Sequence, residues 1–418
     1  MYQDNLKLTK IGWLPKEWED CQIKDVAKVT SGTTPLRSQH DKFFKNGDIF
    51  WVKTTDLTNG DILQTEENVT QTAINETSLR IYPKGTLLVA MYGGFNQIGR
   101  TGLLKIDAAV NQALSALTFQ KDIDSKFALE WFNYNVGLWK NFAGSSRKDP
   151  NITSKDVADF PFIKLPLAEQ QKIASILRGC DAVIDKTQAL INALQKRHKG
   201  LMQQLLTGKK RVLGFEKEKW KIERFGDIFE RVIQKNEKNC KNVLTISAQQ
   251  GLINQEDFFK KQIASDSFLH YYLLQKSDFA YNKSYSNGYP FGAFKRLDKY
   301  EEGILSPLYI CFKLNKNKGD SDFWVYFFES GGMNQGVCDI AQEGARNHGL
   351  LNIGIVDFFN IEIKVPSSLA EQQKIAEILR SSEKEIQIYE KQLAALKQQK
   401  RGLMQALLTG RVRVKSEG

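Results

Sequence analysis

The chain is poor in the residues that metal and thiol chemistry require. Four histidines (His40, His198, His270, His348) and five cysteines (Cys21, Cys180, Cys240, Cys311, Cys338) are scattered over 418 residues. No CxxC pair and no His/Cys cluster with ligand spacing occurs, which argues against a structural zinc site. An odd, dispersed cysteine count fits reduced thiols in a cytoplasmic protein. No apolar run approaches the ~20 residues of a membrane span, and Met1 to Lys10 is polar, unlike a signal sequence. A glycine-rich AdoMet loop, an Asn/Asp-Pro-Pro-aromatic motif, a GxSxG elbow and a catalytic cysteine setting are all missing. The expectation is a chain that is not an enzyme by itself and binds no metal or cofactor of its own.

Two motifs come close to catalytic signatures without reaching them. Gly94-Phe-Asn-Gln-Ile-Gly99-Arg100-Thr101 has arginine where a phosphate-binding loop has lysine, and a strand-like run follows where that loop needs a helix. It reads as a turn between strands. Asp357 with Glu362-Ile-Lys364 loosely resembles a nuclease metal site, but it falls on a probable core strand and is missing from the matching stretch, Phe162-Ile-Lys164.

The sequence does contain a long duplication. LAEQQKIASILR at Leu167 to GLMQQLLTG at Gly208 returns 202 residues later, from Leu369 to Gly410, and 24 of 46 aligned positions are identical. Such a repeat organises a fold. Ile173, Leu177, Ile184, Ile191, Leu194 and Leu201 recur in steps of three and four. Ile375, Leu379, Ile386, Leu393, Leu396 and Leu403 keep the same register. A 3.5-residue period sustained this long predicts helices with a coiled-coil seam. Pro166 and the Ser368-Leu-Ala-Glu371 capping box open them, Gly208 and Gly410 stop them, and Gly200 and Gly402 are expected to bend or fray the last turn. The seam could join two chains. Two seams in one polypeptide are more simply satisfied by antiparallel packing within the chain.

Net charge is +11, and its distribution is uneven. Residues 1–166 carry 20 basic and 19 acidic side chains, and residues 213–368 carry 20 of each. The excess lies on 167–212, with 9 basic against 3 acidic, and on 369–418, with 10 against 6. A polyanion partner fits this balance, and so does a solvated, lysine-rich coiled coil. If the neutral globular parts bind nucleic acid, they do so through local patches.

Those parts read as α+β, with strands at Asp48–Val52, Thr86–Tyr92, Gly102–Ile106, Leu114–Phe119 and Phe160–Leu165, a helix over Phe127–Phe142 and a polar loop at 143–156. Residues 213–368 repeat the plan, and Trp18/Trp220 and Asp25/Asp227 keep the 202-residue offset. Candidate contact residues are Asn96, Gln97, Arg100, Asn111, Gln112, Ser145, Ser146, Arg147 and Lys148 in the first copy. In the second they are Lys283, Tyr285, Asn287, Tyr289, Arg346 and Asn347. Asn and Gln can pair with adenine and Arg with guanine in the major groove. Each of these loops could equally be a self-bonded turn.

Two globular segments, each ending in a strand and proline and followed by LAEQQKI and a helix ending GLMQxLLTG, resemble the DNA-specificity (S) subunits of type I restriction–modification enzymes. Gly47-Asp-Ile-Phe-Trp-Val52 with Asp56-Leu57, and Asp278 to Lys283 through Ser306 to Ile310, look like that family's target-recognition domains. The resemblance implies two such domains (1–166 and 213–368) alternating with two long helical spacers (167–212 and 369–418). The spacers would pack as an antiparallel intramolecular coiled coil with pseudo-twofold symmetry. Each domain would read one half of a bipartite site on double-stranded DNA. The helices would set the spacer and dock two methylation (M) subunits, with restriction (R) subunits completing the complex. AdoMet, ATP and Mg would sit on those partners. A coiled-coil scaffold or an orphan DNA-binding regulator is the alternative.

Overall fold

The computed structural model describes residues 5–9, 11–94, 96–143, 151–259, 268–341 and 351–414. It forms two compact units. One takes in the chain up to Gln188 together with the residues from Gln392 onward; the other is Ala189–Lys391. The division therefore falls within the long helices and not at 166/167 or 368/369. Each unit combines one globular segment with the start of the helix that follows it and the end of the other helix.

In the first unit, the main sheet has the order Ala27–Ser31, Leu114–Phe119, Leu87–Ala90, Thr101–Leu104, Gly60–Ile62. Its pairings are antiparallel except the last, which is parallel. Leu87–Ala90 is buried throughout, as a central strand covered on both faces must be. Alternation sends Leu87 and Val89 into one core, against the helix Ser125–Tyr134. Leu88 and Ala90 go to another, with Val52, Leu104 and Val110. A second sheet, Glu67–Val69, Ile49–Val52, Ala108–Val110, Ile81–Tyr82, lies in the same unit.

The second unit repeats the frame with different residues. Its main sheet, Phe229–Arg231, Ile310–Leu314, Phe279–Asn282, Ala293–Arg296, has the order of the first four strands above. Phe279, Tyr281 and Phe312 face the helix Ser321–Glu329, and Ala280 and Cys311 face the opposite core. Asp124 and Asp320 cap the two equivalent helices by accepting backbone N–H bonds. The side-chain amide oxygens (Oε1) of Gln170 and Gln372 accept the backbone N–H of those same aspartates, at 2.9 and 3.0 Å, so each long helix is keyed to its own domain.

Some elements differ from the sequence reading. The expected helix over Phe127–Phe142 is an α-helix to Tyr134 and then a 3-10 turn at Val136–Asn141. Within the expected 143–156 loop, Ser154–Ala158 is helical, opened by a Thr153/Asp156 capping box. The repeats form helices of 39 residues (Leu167–Leu205) and 40 residues (Leu369–Leu408). Both run through Gly200 and Gly402 without breaking, since a glycine costs about 1 kcal/mol in a helix and long flanks absorb it. Gly208 (φ 71°) and Gly410 (φ 68°) sit just beyond the ends in the left-handed conformation.

The helices pair antiparallel within each unit. In the first, Lys400 bonds Asp181 at 2.7 Å and Arg413 bonds Glu169. In the second, Arg197 pairs with Glu385 and Arg211 with Glu371. Ile191, Leu194, Ile386 and Leu393 are buried, and Ile184, Leu201, Leu396 and Leu403 are half-buried. Ile173 and Leu177, expected only in the helix seam, also enter the core of the first domain beside Leu407 and Leu408. Ile375 and Leu379 do the same in the second, beside Leu205 and Leu206. The apolar face is thus wider than a two-helix seam and grips the domain as well.

A buried clasp closes each unit. Glu169 accepts two bonds from Arg413, at 2.7 and 2.9 Å, and one from the Trp18 indole at 3.3 Å. Glu371 accepts two from Arg211, both at 2.8 Å, and one from Trp220 at 3.4 Å. Each guanidinium also lies over its tryptophan ring, at 5.5 and 5.8 Å. The carboxylates are 4% and 0% exposed, so these are desolvated, two-pronged ion pairs. The bonded carboxylates hold both arginines above the ordinary guanidinium range.

Candidate nucleic-acid interface

In the first unit, the turn 91–100 joins two central strands, and residues 111–113 lead into a third at the same sheet end. The Met91 N–H donates to the Ala113 carbonyl at 2.8 Å, and the Asn111 side-chain oxygen accepts the Ala113 N–H at 3.1 Å. Asn96, Gln97, Arg100, Asn111 and Gln112 are therefore brought together. Asn96 and Gln112 are exposed. The turn depends on Gly99 (φ 77°), where a Cβ would fall 2.0 Å from the Trp139 ring. Gln97 Oε1 is buried without a hydrogen-bond partner, a costly arrangement that swinging the amide outward would relieve. Ser145, Ser146, Arg147 and Lys148 lie outside the described residues. The Ile152 N–H bonds the Met91 carbonyl at 3.0 Å, which places Ile152 at the same sheet end.

The second unit places its candidates at the equivalent turn, 283–292. Lys283 offers its carbonyl to the Leu351 N–H at 3.0 Å, the counterpart of the Ile152–Met91 bond. Arg346 and Asn347 lie outside the described residues. Tyr285 is 64% exposed, and Asn287 is exposed beside it. Tyr289 is committed elsewhere: its hydroxyl donates to Glu329 at 2.7 Å and accepts from Lys295 at 3.1 Å. Burial and the Glu329 carboxylate push that phenol well above its usual range. It supports the turn and does not present a free hydroxyl.

Gly94 to Thr101 is the turn between Leu87–Ala90 and Thr101–Leu104, so the near-match to a phosphate loop is a strand connection. Glu362 and Lys364 lie on the strand Glu362–Val365, paired with Lys221–Arg224. Among the described residues no group of three or more His, Cys, Asp or Glu is placed to hold a metal ion. No described helix is long and apolar enough to cross a membrane.

Residues 15–196 match the family described as the type I restriction modification DNA specificity domain. Over that stretch the chain is similar to a type I DNA-specificity domain. The 202-residue duplication, with the same strand order and the same clasp, gives the second unit the frame of that domain. Over 200 residues the chain is 30% identical to the type I restriction enzyme MjaIX specificity subunit of Methanocaldococcus jannaschii, covering 47% of this chain and 45% of that protein. It thus spans about half the length of that relative. The putative MjaX specificity subunit of the same organism is 26% identical over 99% of this chain and 98% of its own length. The crystal structure of a type I restriction–modification S subunit from M. genitalium aligns with 96% of this chain and 98% of its own, at a TM-score of 0.54 and 14% identity. The specificity-subunit fold accounts for the mixed sheets and paired long helices.

Sequence reasoning missed the clasp of Arg413, Glu169 and Trp18. The signal was available: each of its residues recurs at the 202-residue offset, as Arg211, Glu371 and Trp220.

Proposed function

We propose that the chain is the sequence-reading subunit of a type I restriction–modification complex, in which each unit recognises one half of a bipartite DNA target. The observation that carries this is the repeated frame with unlike tips. Two sheets of one strand order carry at equivalent turns Asn96, Gln97 and Arg100 in one unit and Lys283, Tyr285 and Asn287 in the other. Amide and guanidinium groups read base edges, while the basic excess on the helices attracts the phosphate backbone without sequence preference. The long helices set the spacer and dock two methylation subunits. Restriction subunits add cleavage. AdoMet, ATP and Mg belong to those partners, and the complex works in the cytoplasm.

Co-purification of the chain with a type I methylation subunit tests the assembly. Gel shifts of that complex at fixed salt test the reading: the methylated motif should bind at least 10³-fold more tightly than random DNA of equal length. Equal affinity for both would leave only bulk electrostatic binding and reject the proposal.

A further inference from the structure

Beside the turn 283–292, the second unit sets another hairpin tip. Strands Leu244–Ser247 and Gly251–Asn254 pair antiparallel with Ser247 opposite Gly251, leaving a three-residue turn. Gly251 (φ 83°) supplies the left-handed residue that such a turn requires. The Ser247 hydroxyl accepts the Gln250 backbone N–H at 3.2 Å and fixes the tip. Gln249 and Gln250 are both exposed. The Gln249 amide donates to the Asn287 carbonyl at 3.4 Å, joining the two tips. The Gln250 side chain makes no hydrogen bond among the described residues, so both its donor and its acceptor are open.

We infer that Gln250 reads an adenine in the second half of the DNA target. A glutamine amide matches the N6 donor and N7 acceptor of adenine in the major groove, and this one is mounted on a hairpin tip held by Ser247 and bonded to the turn of the exposed Tyr285 and Asn287. A phosphate would use only the donor of this amide, whereas the edge of adenine uses its donor and its acceptor together. The inference rests on the DNA-reading function proposed above.

The test maps methylated adenines across the genome of cells carrying the chain with its methylation subunits, as wild type and as Gln250→Ala and Gln250→Glu. In Gln250→Ala, one adenine of the second half-site should become dispensable, with discrimination there falling on the order of tenfold, and the first half-site unchanged. Gln250→Glu, which can accept but not donate, should shift that position toward cytosine. An unaltered motif in both variants would overturn the inference. So would a uniform loss of methylation at an unchanged melting temperature, the mark of a phosphate contact. If the wild type directs no motif at all, the DNA-reading function falls with it, a result distinct from an intact motif indifferent to residue 250.

Discussion

At the scale of single residues, the two clasps bear most on stability. Glu371 is fully buried, and Arg211 supplies two of its three side-chain bonds. Replacing Arg211 with alanine strands a desolvated carboxylate, which costs about 3 kcal/mol. Urea unfolding of the full chain should show that loss, and a change under 1 kcal/mol would contradict the buried-pair assignment. Arg413→Ala should cost less, because the Arg413 side chain is 39% exposed against 18% for Arg211. None of this follows from local patterning. Arg413 and Glu169 are 244 positions apart, and periodicity carries no information over such a separation. Identity across the duplication does, because a residue kept in both copies while neighbouring surfaces diverge has a shared task.

At the scale of elements, the helix pairing has polar layers that differ between the units. In the first, Lys400 lies 2.7 Å from Asp181 and 3.1 Å from Glu130, the latter an ion pair out of hydrogen-bond alignment. Burial raises the Glu130 carboxyl and Lys400 opposes that. At the offset-equivalent positions of the second unit stand His198 and Glu383, with Tyr326 where Glu130 would be and bonded to Glu383 at 2.8 Å. His198 Nδ1 is buried without a partner. Burial depresses its pKa below the ordinary 6.5, Glu383 opposes that and Arg197 adds to it. The unfolded chain binds this proton more readily than the folded one. The associated stability is therefore complete above about pH 6.5 and is lost as pH falls through the lower folded value. The melting temperature of the wild type should drop between pH 6.5 and 5.5 more steeply than that of His198→Leu. Parallel curves would contradict a half-buried imidazole kept neutral by desolvation. Helix length makes a separate prediction. Four residues inserted within 180–197 add ~6 Å at ~1.5 Å per residue, close to two base-pair steps of ~3.4 Å. The methylated motif should keep both half-sites and gain about two spacer positions; unchanged spacing would refute the role of the helices as a ruler. The helices were legible in the sequence because a 3.5-residue period needs no tertiary knowledge. The parallel pairings of Ala108–Val110 with Ile49–Val52 and of Thr101–Leu104 with Gly60–Ile62 were not, since a buried strand shows its hydrophobicity but not its neighbours.

At the scale of the whole molecule, the chain is one architecture written twice and then individualised at its tips. Leu87–Ala90 and Phe279–Asn282 hold the same place in their sheets, and the turns that leave them, 91–100 and 283–292, share no sequence. The frame was therefore recoverable from the duplication. The grouping of Asn96, Gln97, Asn111 and Gln112 was recoverable only in part, because a sheet end gathers loops distant in sequence. The pairing of Gln249 with Asn287 was not recoverable, since it joins two hairpins through a single bond. Such a molecule should be separable by halves. The most direct measurement is the genome-wide methylated-adenine motif after residues 213–368 are exchanged for the corresponding segment of a type I specificity subunit. The second half-site should change, while the first half-site and the spacer stay as they were. A motif altered in both halves, or in neither, would contradict the assignment of one reader to each unit.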